Sequence, residues 1–157
     1  RALIYFILSI HFDCNDDKRQ RLAMHKKLST LSISYENGVI TSKLYGIFNG
    51  RSAEEYREHL FKLVMGLNMK PFALLADISE VEGATPEAFD MVKHIVNRLP
   101  EMGLIAKAYV FKGPVIRGMM FQRIPELKHM DYLFFTDFDE ASQWLSSEYK
   151  QKLSASS

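Results

Sequence analysis

The side chains able to do chemistry are plentiful in this chain, but their spacing serves few reactions. The five histidines, His11, His25, His59, His94 and His129, never fall in an H-x-x-x-H or H-E-x-x-H pattern. No helix can therefore present a pair of them to zinc. Cys14 is the single cysteine, which excludes an internal disulfide framework and any multi-cysteine metal cluster. The eight glycines form neither G-x-G-x-x-G nor a Walker loop, and no G-x-S-x-G elbow offers an acyl-transfer serine. The expectation is a protein without catalytic residues, metal or cofactor.

Two charged stretches remain. Asp77, Glu80, Glu82, Glu87 and Asp90 lie in a segment free of basic residues, while Lys107, Lys112, Arg117, Arg123 and Lys128 are opposed only by Glu126. On neighbouring parallel strands these stretches would emerge at one sheet edge, where open parallel sheets favour ligands. The expectation is a bipolar partner-binding surface centred on Asp77 and Arg117, with Glu80 and Glu82 beside them. Solvated charges alone would contribute only ~0–1 kcal/mol per pair. Met119, Met120 and Phe121 follow Arg117 and Gly118. Three consecutive bulky residues on one helix cannot all face one core, so one of them meets solvent or a partner, and methionine suits adaptable contacts. The alternative is an apolar pocket formed by Phe89, Val92 and Phe121 with Met119 and Met120.

The elements that must position these groups are legible from periodicity. Leu31–Tyr35 alternates with period two, Asn37-Gly38 is a hairpin turn, and Val39–Phe48 continues as a second strand. Ser52 with Glu55 reads as a capping box opening a helix over about 53–67. Phe72–Ile78 is a continuous apolar run, the mark of a strand covered on both faces. An acidic loop follows, and then Thr85-Pro86-Glu87 starts a second helix: hydroxyl cap, proline at the first position, acid against the dipole. Ile105–Phe111 forms a strand, Gly113-Pro114 opens a third helix, Tyr132–Phe135 forms the last strand, and Asp137 or Asp139 caps a final helix. The order ββαβαβαβα predicts an α/β domain: one mixed, mostly parallel sheet of about five strands with about four helices.

This ordering resembles the STAS-type, SpoIIAA-like fold of anti-sigma-factor antagonists over roughly residues 30–153. It is similar in particular to an uncharacterised SpoIIAA-like branch related in shape to lipid-carrying CRAL-TRIO domains. The resemblance rests on Leu74-Leu75-Ala76-Asp77-Ile78-Ser79, on the helix after Thr85, and on Phe138-Asp139-Glu140-Ala141-Ser142-Gln143-Trp144-Leu145. It implies a non-catalytic regulatory or protein-interaction module. STAS regulators carry a phosphorylatable serine, usually after Asp and before Ser-Gly, at the start of the corresponding helix. The matching stretch here is Gly83-Ala84-Thr85-Pro86, with Ala84 in place of the Asp. Thr85 is accordingly a phospho-acceptor or a helix cap. A phosphate there would meet free N–H groups, but the cap accounts for Thr-Pro-Glu by itself.

Composition bounds the rest. The 157 residues are 47% hydrophobic and 25% charged, apolar enough to fold as one domain. Twenty basic against nineteen acidic residues leave a formal charge of +1, no basis for binding nucleic acid. The apolar run Ala2–Ile10 is too short to span a bilayer and lacks a small-residue cleavage site after it. Residues 1–23 are expected to be an appendage, the alternative being an edge strand at Leu3–Ile10, with a single domain over 24–157. The expected protein is cytoplasmic and binds a protein partner, itself included as a homodimer. The alternative function is a carrier or sensor of a small apolar ligand such as a lipid.

Overall fold

The computed structural model describes residues 24–27, 30–128 and 132–156; the expectations for residues 1–23 lie outside them. Six strands and four α-helices follow in the order β1 (Met24–Lys27), β2 (Leu31–Glu36), β3 (Val39–Phe48), α1 (Gly50–Gly66), β4 (Phe72–Ala84), α2 (Pro86–Arg98), β5 (Leu104–Val110), α3 (Pro114–Arg123), β6 (Tyr132–Phe135) and α4 (Phe138–Ala155). One sheet holds all six strands in sequential order. β1, β2 and β3 pair antiparallel, and β3 through β6 pair parallel. The expected mixed, mostly parallel α/β sheet is thus present, with the short β1 added along the edge of the hairpin.

Each strand of the parallel set lies beside its predecessor, so right-handed crossovers put α1, α2 and α3 on one face. Beneath them lies the larger core, with Leu31, Ile40, Phe72, Leu74, Ile95 and Leu99 among its buried members. Burying each such side chain contributes about 1.5–3 kcal/mol. The alternate residues of the same strands, Ala73, Leu75, Ala106, Ala108 and Val110, face the other way and are covered by Ala141 and Leu145 of α4. That face is thinner, and α4 reaches across only part of it.

Local chemistry sets the joints. The β2–β3 turn has Asn37 and Gly38 at φ 51° and 84°, as a two-residue hairpin requires. A Cβ on Gly38 would run into the Tyr149 ring of α4, whose hydroxyl donates to the Pro71 carbonyl at 3.0 Å. Thr85 Oγ1 caps α2 by accepting from the Ala88 N–H at 3.4 Å, and Asp137 caps α4 through the Glu140 N–H at 2.8 Å.

Two boundaries differ from expectation. α1 starts at Gly50 because Asn49, rather than Ser52, is its cap; Asn49 Oδ1 accepts from the Ser52 N–H at 3.0 Å. An asparagine cap is as good as a serine one and gains nearly a turn of helix. The acidic loop after Ile78 is instead strand: β4 continues to Ala84, paired with β3 from Tyr45↔Glu80 to Phe48↔Ala84. β5 ends opposite Asp77, so this extension has one free side on which exposed glutamates are tolerated.

Candidate functional site

Two concave sites lie on opposite faces of the sheet. The first is a cavity of about 50 Å³ between the sheet and helices α1, α2 and α3. Its floor comes from Leu44, Ala76, Ile78, Lys107 and Tyr109, and Phe89, Val92, Ile116 and Met120 close it from the helices. Half-buried Val81, Ala84, Val92 and Ile116 form the rim. Tyr56 enters from α1, its hydroxyl 2.9 Å from Ser42 Oγ in a fully buried pair. Burial pushes the Tyr56 hydroxyl up to about 12, with the Ser42 hydrogen bond acting the other way.

Lys107 is the one cationic side chain in this lining. It is 3% exposed, and its Nζ stands 4.4 Å from the centre of the Tyr109 ring. Desolvation by burial brings its ammonium down to about 7. Tyr109 continues an aromatic tier, stacked on Phe134 at 5.6 Å, while Phe121 meets Phe134 edge-on at 4.7 Å.

The second site is a polar groove on the other face, beside the N-terminus of α4. Ser32, Ser34, Thr41 and Lys43 line it from the sheet area that α4 leaves uncovered, and Asp77, Ser79 and Thr136 complete it. Asp77 is 2% exposed. It faces Lys43 Nζ at 3.7 Å, and its Oδ1 accepts from the Ser79 N–H at 3.0 Å.

The expected surface centred on Asp77 and Arg117 is not assembled. Asp77 points into the polar groove, whereas Arg117 rides on α3 across the sheet, its guanidinium 5.1 Å from the Phe134 ring and 5.6 Å from that of Phe121. The reason is strand alternation: Asp77 lies between Ala76 and Ile78, which face α1–α3, so its side chain takes the opposite side. Glu80 and Glu82 are exposed on the β4 extension. Of the apolar-pocket residues, Phe89, Val92 and Met120 do line the cavity, while Phe121 and Met119 are half-buried outside its lining. Thr85 acts as a cap. Lys107, expected among the surface cations, is instead buried, because its run Ile105–Phe111 is apolar on both faces. A lysine inside a doubly covered strand has to be buried, and that was the available signal.

Among the described residues, no group of three or more His, Cys, Asp or Glu side chains could hold a metal. No helix among them is long and apolar enough to cross a membrane.

A solved structure from Shewanella loihica PV-4 superposes on this arrangement with a TM-score of 0.54 and 17% sequence identity, over 82% of this chain and 99% of that one. It is described as an uncharacterised protein of the DUF3478 family with a SpoIIAA-like fold. The fold is SpoIIAA-like. No protein-family model matches the chain, and no curated protein is similar to it. The likeness extends to architecture alone.

Proposed function

We propose that this SpoIIAA-like domain is a non-catalytic regulatory module that senses a small apolar molecule in the cavity under α2 and α3. The cavity itself carries the reading: an apolar space within the core whose rim is made of half-buried side chains. Interiors are normally packed without such voids, and apolar pockets with few polar groups are the usual ligand sites. Size sets the scale. An apolar cavity of about 150 Å³ accepts benzene, so this one admits a group of a few heavy atoms; a lipid chain would have to displace α3.

Occupancy would be read through α3. Only Met120 of its ten residues is buried, so the helix is a thin lid. Outside it are Val115, 71% exposed, and Arg117, which offer a protein partner, or a second copy of the chain, an apolar and a cationic contact. Native mass spectrometry of the purified protein, with titration of short-chain alcohols followed by amide NMR, tests the reading. Co-purified small molecules, or saturable shifts confined to residues around Val92, Ile116 and Met120, support it. Absence of both, with the amides of α2 and α3 unmoved, overturns it.

A further inference from the structure

The polar groove on the α4 face holds a carboxylate that packing alone does not explain. Asp77 is 2% exposed, and burying a charge costs free energy that close pairing has to offset. Its pairing is loose. The Ser79 N–H takes one of the roughly four acceptor positions of a carboxylate. Lys43 Nζ stands at 3.7 Å, beyond direct hydrogen bonding. We infer that this groove is a binding site for a neutral polyhydroxy compound, a monosaccharide or cyclic polyol, independent of the apolar cavity across the sheet.

Strand register builds the site. Ser32, Lys43 and Asp77 stand in one row across β2, β3 and β4, and Ser34 and Thr41 form part of the next row. All five line the groove, and Ser79 and Thr136 add two more hydroxyls. The space is about 490 Å³, inside the range of ~300–1,000 Å³ found for small-molecule sites. A sugar hydroxyl can both donate and accept. Placed between Asp77 and Lys43, it donates to the carboxylate and accepts from the ammonium, so that the loose ion pair gains two charge-assisted hydrogen bonds. Its neighbours on the ring then reach the serine and threonine hydroxyls. Phe138, also in the lining, offers an apolar surface to the C–H side of the ring.

Charge selects against the alternatives. The lining sets Lys43 against Asp77 and Asp137, and the first turn of α4 adds Asp139 and Glu140. An anion would meet these acids, which already complement the helix N-terminus, the Glu140 N–H donating to Asp137. A metal ion would meet the Lys43 ammonium, and no group of three or more His, Cys, Asp or Glu among the described residues could hold one. A neutral polyol avoids both conflicts.

The test is amide NMR of the full chain, titrated separately with D-glucose, D-ribose, myo-inositol and inorganic phosphate up to about 50 mM, far beyond a Kd of ~1 mM. At least one of the three polyols should give saturable shifts at Ser32, Ser34, Lys43 and Ser79, with the α2 and α3 amides unmoved and phosphate without effect. Asp77→Asn keeps the shape and removes the charge, so it should weaken that binding at least about tenfold, as loss of a hydrogen bond to a charged group does. Thr41→Val, which removes one hydroxyl from a strand position that suits valine, should weaken it about threefold and decides alone if Asp77→Asn fails to fold. No saturable shift with any polyol overturns the inference. Binding that Asp77→Asn, or Thr41→Val in its place, leaves unweakened overturns it as well, since the polyol then lies elsewhere. Shifts with phosphate alone would make this an anion site and overturn it equally. None of these outcomes touches the cavity reading, which rests on the opposite face.

Discussion

Lys107 and Tyr109 lie two residues apart on the same face of β5, with the lysine Nζ 4.4 Å from the centre of the tyrosine ring. The ring offers the ammonium some attraction, but too little to replace water, and the charged state is disfavoured by burial.

That imbalance fixes how stability depends on pH. The folded Lys107 titrates at about 7, against ~10.4 in an unfolded chain. Between those values the unfolded state holds more protons, so stability rises with pH across that window. The gain is up to ~5 kcal/mol for a group so placed. Tyr56, raised to about 12 by burial, contributes in the opposite sense only above ~10, where an unfolded tyrosine ionises. Urea unfolding midpoints should therefore increase from about pH 6.5 to about pH 9.5. Lys107→Met should be more stable at the acid end and show a flat profile. An equal slope in both proteins would contradict the assignment.

The buried Ser42–Tyr56 pair should behave as a coupled unit. Ser42→Ala leaves the Tyr56 hydroxyl in the core without its 2.9 Å partner, a loss of about 1–3 kcal/mol. Tyr56→Phe strands the serine instead. The double variant removes both polar atoms and should cost less than the sum of the two, a coupling of about 1 kcal/mol or more in a double-mutant cycle. Strict additivity would show that the hydroxyls do not depend on each other.

Where the sequence was informative, the physics was local. Asn37-Gly38 demanded a hairpin whatever followed, Thr85-Pro86-Glu87 satisfied a helix start from three adjacent residues, and Phe72–Ile78 could only be a strand covered on both faces. What stayed hidden depends on neighbours. Met24–Lys27 has no apolar alternation and becomes a strand because β2 offers a free edge. Glu80 and Glu82 imitate a loop because the outer part of β4 has a partner on one side only. The separation of Asp77 from Arg117 follows from which face α3 crosses, a property of the assembled sheet. Lys107 lay between these cases: its burial was implicit in the apolar run around it, but the cavity beside it depends on α2 and α3 together.

Gly38 should tolerate no side chain. Its φ of 84° is costly for alanine, and a Cβ would run into the Tyr149 ring. Gly38→Ala should lose about 2 kcal/mol or more, from backbone strain and overpacking together. Pairing it with Tyr149→Ala should recover only the steric part, since the backbone strain remains. Full recovery would mean that the ring contact alone matters.

Thr85 separates a cap from a switch. Thr85→Ala should cost about 1 kcal/mol, while Thr85→Ser and Thr85→Asp should stay close to the natural protein, since all three polar residues cap well. Thermal unfolding measures this directly. Phosphate found on Thr85 in protein isolated from cells would add a regulatory role to the structural one, and an unmodified Thr85 there would leave the cap alone.

Filling the cavity should trade ligand binding for stability. Val92 faces the space from α2 and is half-buried at its rim, so Val92→Leu adds one methylene toward the void without creating a new polar group. Leucine is also the better helix former. Cavity filling commonly gains about 0.5–2 kcal/mol, so the melting temperature should rise. The response of the α2 and α3 amides to 1-butanol should weaken in the same variant, because its methylene occupies volume that the alcohol needs. A neighbouring change outside the lining, Val115→Ala on the exposed face of α3, should leave that response intact. Should Val92→Leu lower stability instead, the space is already closed by packing in solution and offers no room to a ligand.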